Sequence, residues 1–465
     1  MRICAFLLGL LCTTCAAQLN NNLQNPSDAP VEANPWREAE LSVSSHYQQS
    51  VAAASAPQLN ANQFSLKDVE ALALKNNPQI TAARLIALAA HQVTRETRSN
   101  FWPSSQLDLT GVDSHTDSRI SAGGLNNPII YERAAYGATL SQLITDFGHT
   151  TNLAASAQYR EKAENQNAVA TREQVLLAVD QAFYGVLQAQ ALRRVAEQTV
   201  QSRQLLADQV AALTKSKLKS DLDLSFANVN LAQAKLLLLD AENNEKSAEA
   251  ALTALLALPA NSTFSLVEQE QQFSPPPVNA DTLIAEALAQ RPEMLALEYS
   301  TEAAQKQHAA DRDLLLPTVS VLGAVGQAPV RNDHLSSWYG AIGVNVQIPV
   351  FNGFLYPAKA QESKLRAQAE EQKVIDLRNR IARDVETAWL NANTAYSRLS
   401  VTQQLQEQAN RALDLAQTRY NLGLGSIVEL SQAQLQQTQA EISNAQAGYD
   451  YRVAERVLLY QTTGI

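Results

Sequence analysis

Six histidines, His46, His91, His115, His149, His308 and His334, are the side chains best suited to hold a metal or move a proton, and their spacing does neither. No HxxxH or HExxH pair occurs, the pattern that puts two imidazoles on one face of a helix. The thiols are placed no better, because Cys4, Cys12 and Cys15 all fall within the first fifteen residues. There is no GxxxxGK[ST] loop to cradle phosphates, and Gly425-Ser426 lacks the GxSxG pattern of a nucleophile elbow. Asp113 and His115 sit together in what reads as a solvated loop. The sequence therefore reads as a non-enzyme with no cofactor and no resident metal, borrowing its energy from a partner.

Composition points the same way. The 465 residues carry 36 Lys+Arg against 46 Asp+Glu, a formal net charge of −10, which gives no basis for gripping nucleic acid. Sixteen Gly and sixteen Pro are few for this length, as long helices require. Residues 1–17 read as a secretory signal: Arg2, the apolar run Ile3–Leu11, then Cys15-Ala16-Ala17. Acylation of Cys15 is the competing reading, although Cys12 and Thr14 occupy places where a lipoprotein site prefers Leu and a small residue. Beyond the signal, no uncharged apolar run reaches the ~18 residues of a membrane helix. The longest, Ala250–Leu258, ends at Pro259. A membrane would have to be crossed by strands.

The elements are arranged as a duplication. Val69–Pro78 matches Leu283–Pro292, and Phe101-Trp102-Pro103 matches Leu315-Leu316-Pro317, both at an offset of 214. Tyr136-Gly137-Ala138 matches Tyr339-Gly340-Ala341 at 203; Val179–Phe183 over Val385–Trp389 and Ser225–Ala227 over Ser431–Ala433 both stand at 206. Five matches in one order are the mark of an internal repeat. A longer loop before Tyr136 and a short extra segment near Lys215–Lys219 are expected to absorb the changes in offset. The expected division is 1–17 signal, 18–63 variable segment with Trp36 as its one anchor, 64–262 first repeat, 263–280 linker marked by Pro275-Pro276-Pro277, and 281–465 second repeat.

Each repeat reads helix, strand, loop, strand, very long helix, turn, long helix. The first helix, over Leu66–Asn100 and again over Asp281–Asp313, is expected to break or bend at its proline near the start, Pro78 in the first copy. Strands are expected at 104–112, 136–145, 317–326 and 339–348, where apolar and polar residues alternate: Leu107 and Leu109 oppose Gln106, Asp108 and Thr110, and Ile342, Val344 and Val346 oppose Gly343, Asn345 and Gln347. Thr150–Leu213 and Ala358–Leu422 contain no proline and are rich in Ala, Gln and Leu. Helices of that span run roughly 95 Å and need coiled-coil packing. Four strands cannot close a barrel, and lipid does not tolerate an open edge. Three copies lending four strands each would supply twelve. A coiled-coil scaffold of the periplasm or cell surface accounts for the helices alone, and a diffusion porin for the strands alone.

This pattern resembles the TolC-type outer membrane efflux protein family over about Phe64–Gly464. The resemblance is carried by Asn76-Asn77-Pro78, by Arg291-Pro292, by Ile348–Gly353 and by the turn Arg419–Ser426. It implies an α+β membrane protein: a homotrimer whose twelve-stranded outer-membrane barrel continues into a long α-helical periplasmic barrel. It implies a passive exit duct of a tripartite efflux or type I secretion system. The implied partners are a periplasmic adaptor (membrane fusion protein), an inner-membrane pump of RND, ABC or MFS type and outer-membrane lipid, with no nucleic acid. By the same resemblance the adaptor docks at Leu422, Gly423, Leu424, Gly425 and Ser426, and Tyr420, Glu429 and Asp223 match gate positions. Gln432 stands where a second acid is usual, and Gly425 replaces a basic latch residue. In the first repeat the glycine turn reads Lys215-Ser216-Lys217-Leu218-Lys219, with three extra residues expected. Lys215, Lys217 and Lys219 form either a solvated loop or a basic docking patch.

Overall fold

A computed structural model describes residues 63–113, 115, 133–260, 262, 264–268, 272–331 and 336–464. The signal 1–17, the segment 18–62 with Trp36 and His46, and His334 lie outside the described residues. The chain divides into two compact units: one holds Arg98–Thr150 and Asp313–Phe354, the other Asn60–Thr97, Thr151–Arg312 and Leu355–Ile465.

The second unit is helical apart from a two-residue parallel pairing of β1 (Gln63–Phe64) with β4 (Ser265–Leu266). Its entry helix in the first repeat is two helices, α1 (Leu66–Asn76) and α2 (Pro78–Ser99). The break follows from Pro78, which forces Asn77 into an extended conformation. Asn77 then seals the break, donating to the Leu255 carbonyl at 2.9 Å and accepting from the Gln79 amide at 2.8 Å. The second repeat does the same with α5 (Ala280–Gln290) and α6 (Pro292–Asp313); here Arg291 occupies the break and reaches Gln461 at 2.7 Å.

The long helices are α3 (His149–Lys215) and α7 (Leu355–Asn421), each of 67 residues, returning as α4 (Asp221–Leu255) and α8 (Ile427–Thr462). Alanine is the commonest residue at their buried positions, among them Ala196, Ala207, Ala234, Ala388, Ala392, Ala416, Ala440 and Ala447. Small side chains let the backbones approach closely along a long seam. By length and composition α3 could cross a membrane, but half of its apolar window is buried among the other helices. Val175, Val179, Phe183 and Val186 of that helix pack on Val69 and Ala73 of α1 and on Leu252 and Leu256. The linker is fastened to the second repeat: Trp389 donates to the Pro277 carbonyl at 2.7 Å, and Tyr451 bonds to the Ser274 carbonyl.

The expectation of three extra residues at the first hairpin turn is corrected. The connections Ser216–Ser220 and Leu422–Ser426 have equal length, and one offset of 206 runs unbroken through long helix, turn and return helix. The change in offset is absorbed instead by the second repeat's longer connection Ile348–Phe354, against Asp146–Gly148 in the first. No insertion is needed because Lys217 itself adopts the left-handed backbone, φ 59°, that Gly423 adopts at φ 73°.

The other unit is one antiparallel sheet of β2 (Ser104–Val112), β3 (Arg133–Thr145), β5 (Thr318–Val330) and β6 (Trp338–Gln347), in the order β2-β3-β5-β6. The two inner strands outrun the alternation in their sequences, because neighbours on both sides continue the hydrogen-bond ladder: Val112 pairs with Arg133, and Ala134 with Val330. Gly137 and Gly326 pair across the centre, and the Tyr339 ring occupies the space that a Cβ on either would need.

Candidate functional site

Two places in the chain hold chemistry that its own packing leaves unfinished. At the ends of the two helical hairpins, the backbones are near copies of each other. In the first tip the Lys217 amide donates to Thr214 and the Leu218 amide to Leu213, both at 2.9 Å. In the second, the Gly423 amide donates to Tyr420 at 3.1 Å and the Leu424 amide to Arg419 at 2.8 Å. Such paired reversals satisfy the last carbonyls of a helix and require a left-handed residue at the bend. Each return helix then starts on a serine cap. The Ser220 hydroxyl accepts from the Asp223 amide, and the Ser426 hydroxyl from the Glu429 amide, both at 3.1 Å.

The side chains diverge on this shared frame. The Asp223 carboxylate closes back on Ser220, accepting from its amide at 3.0 Å and its hydroxyl at 2.8 Å. The longer Glu429 instead reaches Arg419, Oε1 to Nε 3.1 Å, while the same guanidinium donates to the Leu424 carbonyl at 3.3 Å. Lys219 folds across to the other hairpin. Its ammonium donates to the Tyr420 carbonyl at 3.3 Å and lies 3.8 Å from the centre of the Tyr420 ring. That ring is 3% exposed, in a core with Leu206, Val210, Ala227, Leu231, Ile427 and Leu430. The Tyr420 hydroxyl is buried without a hydrogen-bond partner; burial first, and then the Asp223 carboxylate, push its pKa up. Outside this core Leu218, Leu222, Leu422 and Leu424 are all exposed.

The second place is the sheet. Leu107 and Leu109 on β2, and Ile342, Val344 and Val346 on β6, are exposed, and all ten residues of β6 face solvent in the single chain. Within the described sheet, β2 and β6 each pair along one edge only. A row of unpaired amides and carbonyls beside bare apolar side chains belongs to a surface that another surface must cover.

The model of the family described as "Outer membrane efflux protein" matches residues 70–258 and 283–464, one match for each repeat. The chain belongs to that family. Among its relatives, outer membrane efflux protein BepC of Brucella suis is 25% identical over 333 residues, covering 70% of this chain and 71% of BepC. Outer membrane protein TolC of Vibrio cholerae is 23% identical over 400 residues, covering 83% and 88%. The crystal structure of the Vibrio cholerae outer membrane protein VceC shares the fold, with TM-score 0.75 and 17% identity over 86% of this chain and 96% of that one. The mostly helical chain with few strands is thus an outer membrane efflux protein, an exit duct with a helical tunnel in the periplasm. The family is one of channels rather than enzymes and works with periplasmic adaptors and inner-membrane pumps.

In this efflux protein the structure brings Tyr420, Asp223 and Lys219 together at one end, with Glu429 and Gly425 beside Arg419. Gln432 is exposed along α8 beyond Glu429, and Lys215 and Lys217 are exposed on the first tip. A Cβ at Gly425 would stand 3.2 Å from both the Arg419 Cβ and the Glu429 carboxylate, so a side chain there would need these neighbours to give by a few tenths of an ångström. Three contacts escaped the sequence reading. Lys219 joins the two tips, Arg419 holds Glu429, and buried Arg203 ties α3 to α8 through the Gln434 carbonyl at 2.9 Å and the Thr438 hydroxyl at 3.0 Å. Burial lowers the Arg203 pKa to about 10. A lysine in a lysine-rich turn gives no sign in sequence that it alone is folded inward.

Proposed function

We propose that the duct is a homotrimer whose three sheets join edge to edge into a twelve-stranded outer-membrane barrel, and that its periplasmic end is gated at the hairpin tips. The observation that carries this reading is the open sheet, with β2 and β6 each paired along one edge only among the described residues and their apolar side chains bare. Closure in lipid needs about eight strands or more, which one copy does not supply. Detergent-solubilised protein should have the mass of three chains and conduct in a planar bilayer; a monodisperse single chain without conductance overturns the reading.

At the tips, Tyr420, Asp223, Glu429 and Gln432 form the gate region. Leu422, Gly423, Leu424, Gly425 and Ser426 with Lys215 and Lys217 offer the surface for the periplasmic adaptor, which in turn meets a pump of RND, ABC or MFS type. Supporting this are four exposed leucines, Leu218, Leu222, Leu422 and Leu424, and two exposed lysines at the two tips. Lys219 belongs to the same tip, with its ammonium resting on the Tyr420 carbonyl and ring. A Glu429→Cys variant, oxidised so that neighbouring tips are tied, should assemble normally and lose transport. Undiminished transport through tied tips would move the constriction elsewhere.

A further inference from the structure

The first repeat holds a buried acid that the conduit does not use. Asp180, on α3, is wholly buried, and no hydrogen-bond donor reaches either of its carboxylate oxygens. Its nearest cation is Arg456 of α8, whose Nε lies 3.7 Å from Oδ2. From α1 it faces the carboxyl group of Glu70. Along its own helix stands Tyr184, which Arg456 and Arg452 of α8 also approach. Val69, next to Glu70, and Val179 and Phe183, next to Asp180 and one turn on from it, belong to an apolar core. With Glu70 partly buried and one guanidinium for two carboxylates, a charge on wholly buried Asp180 would be uncompensated, at a cost its burial makes severe. One proton removes the excess and provides the donor that the Asp180 oxygens lack.

We propose that Asp180 holds a proton beside the Glu70 carboxylate, and that this proton, together with Arg456, pins α1 to α3 and α8 and loosens that junction as it leaves. Burial, with the Glu70 charge added and Arg456 opposing, pushes the Asp180 carboxyl up to about 7. The sign follows directly. An acid whose folded pKa exceeds its unfolded value binds more protons when folded, so stability falls as pH rises from about 4 to about 7 and is level above that. The second repeat lacks the device. At the matched positions Glu386 is exposed and Ile284 replaces Glu70, packing with Val385 and Ile381 in an apolar interface.

Hydrogen exchange of the α1 amides, residues 66–76, corrected for intrinsic rates, tests this on the assembled protein. Protection of wild-type α1 should fall with rising pH, by at most about tenfold per unit, and level off near pH 7. Asp180→Asn should make the profile flat, and Glu70→Gln should move the fall to lower pH. Glu386→Gln should leave α5 unchanged. Infrared difference spectra at pH 6 should show a protonated-carboxyl band in wild type that Asp180→Asn removes. A wild-type pH dependence retained in either first-repeat variant, or spectra without the band, overturns the proposal. Should Asp180→Asn fail to assemble, Glu70→Gln and the wild-type spectrum still decide it.

Discussion

The two hairpin tips share one backbone and use it differently. Both bend through a left-handed residue six positions before a capped acid, yet the first puts lysine at the bend and the second glycine. The first tip exposes Lys215 and Lys217 and sends Lys219 into its neighbour; the second exposes Leu422 and Leu424 and confines its charges to the Arg419–Glu429 pair. A duplicated fold thereby presents two ends that both expose leucines, the first of them with exposed lysines besides. The lesson is that backbone geometry constrains only the bend and the cap, while the surface between them is free to diverge.

The comparison can be broken most severely at the core beneath it. Tyr420→Ala should cost about 3 kcal/mol or more locally, as loss of a buried ring does, while Thr214→Ala at the matched place in the first tip should cost well under about 1 kcal/mol. Exchange protection in the last turns of α7 and α3 measures both. The bend itself comes next: Gly423→Lys should cost about 1–2 kcal/mol and Lys217→Gly should gain about 1 kcal/mol, read as opposite shifts in the same protection. Lys219→Met should lose about 1 kcal/mol of contact between tips, and Lys219→Arg should retain it, because a guanidinium also sits well on an aromatic face. In a bilayer the Met variant should open more often than the Arg variant. Smallest is Arg419→Gln, worth under about 1 kcal/mol and vanishing in high salt, since that ion pair is exposed.

The duplication was legible because its evidence is local and repeated: Pro78 and Pro292 start a helix in each copy, and alternating runs such as Leu107–Leu109 and Ile342–Val346 announce strands. The tips were only half legible. The run Arg419–Ser426 read as a glycine turn, and the bend at Gly423 and the cap at Ser426 are what short-range rules make of it. Lys217 at the same bend was missed because glycine is the preferred residue there and lysine is merely tolerated, so its presence suggested an insertion.

What the sequence determined by itself was the paired repeats and the length and period of the elements, for these depend on neighbours within a few residues. Tertiary structure alone decided that Lys219 would lie on Tyr420, 201 residues away, and that Asp180 would be buried beside Glu70 and Arg456 while its repeat counterpart Glu386 faces water. Which side chains share a low-dielectric space depends on how distant helices pack, and no local rule encodes that packing.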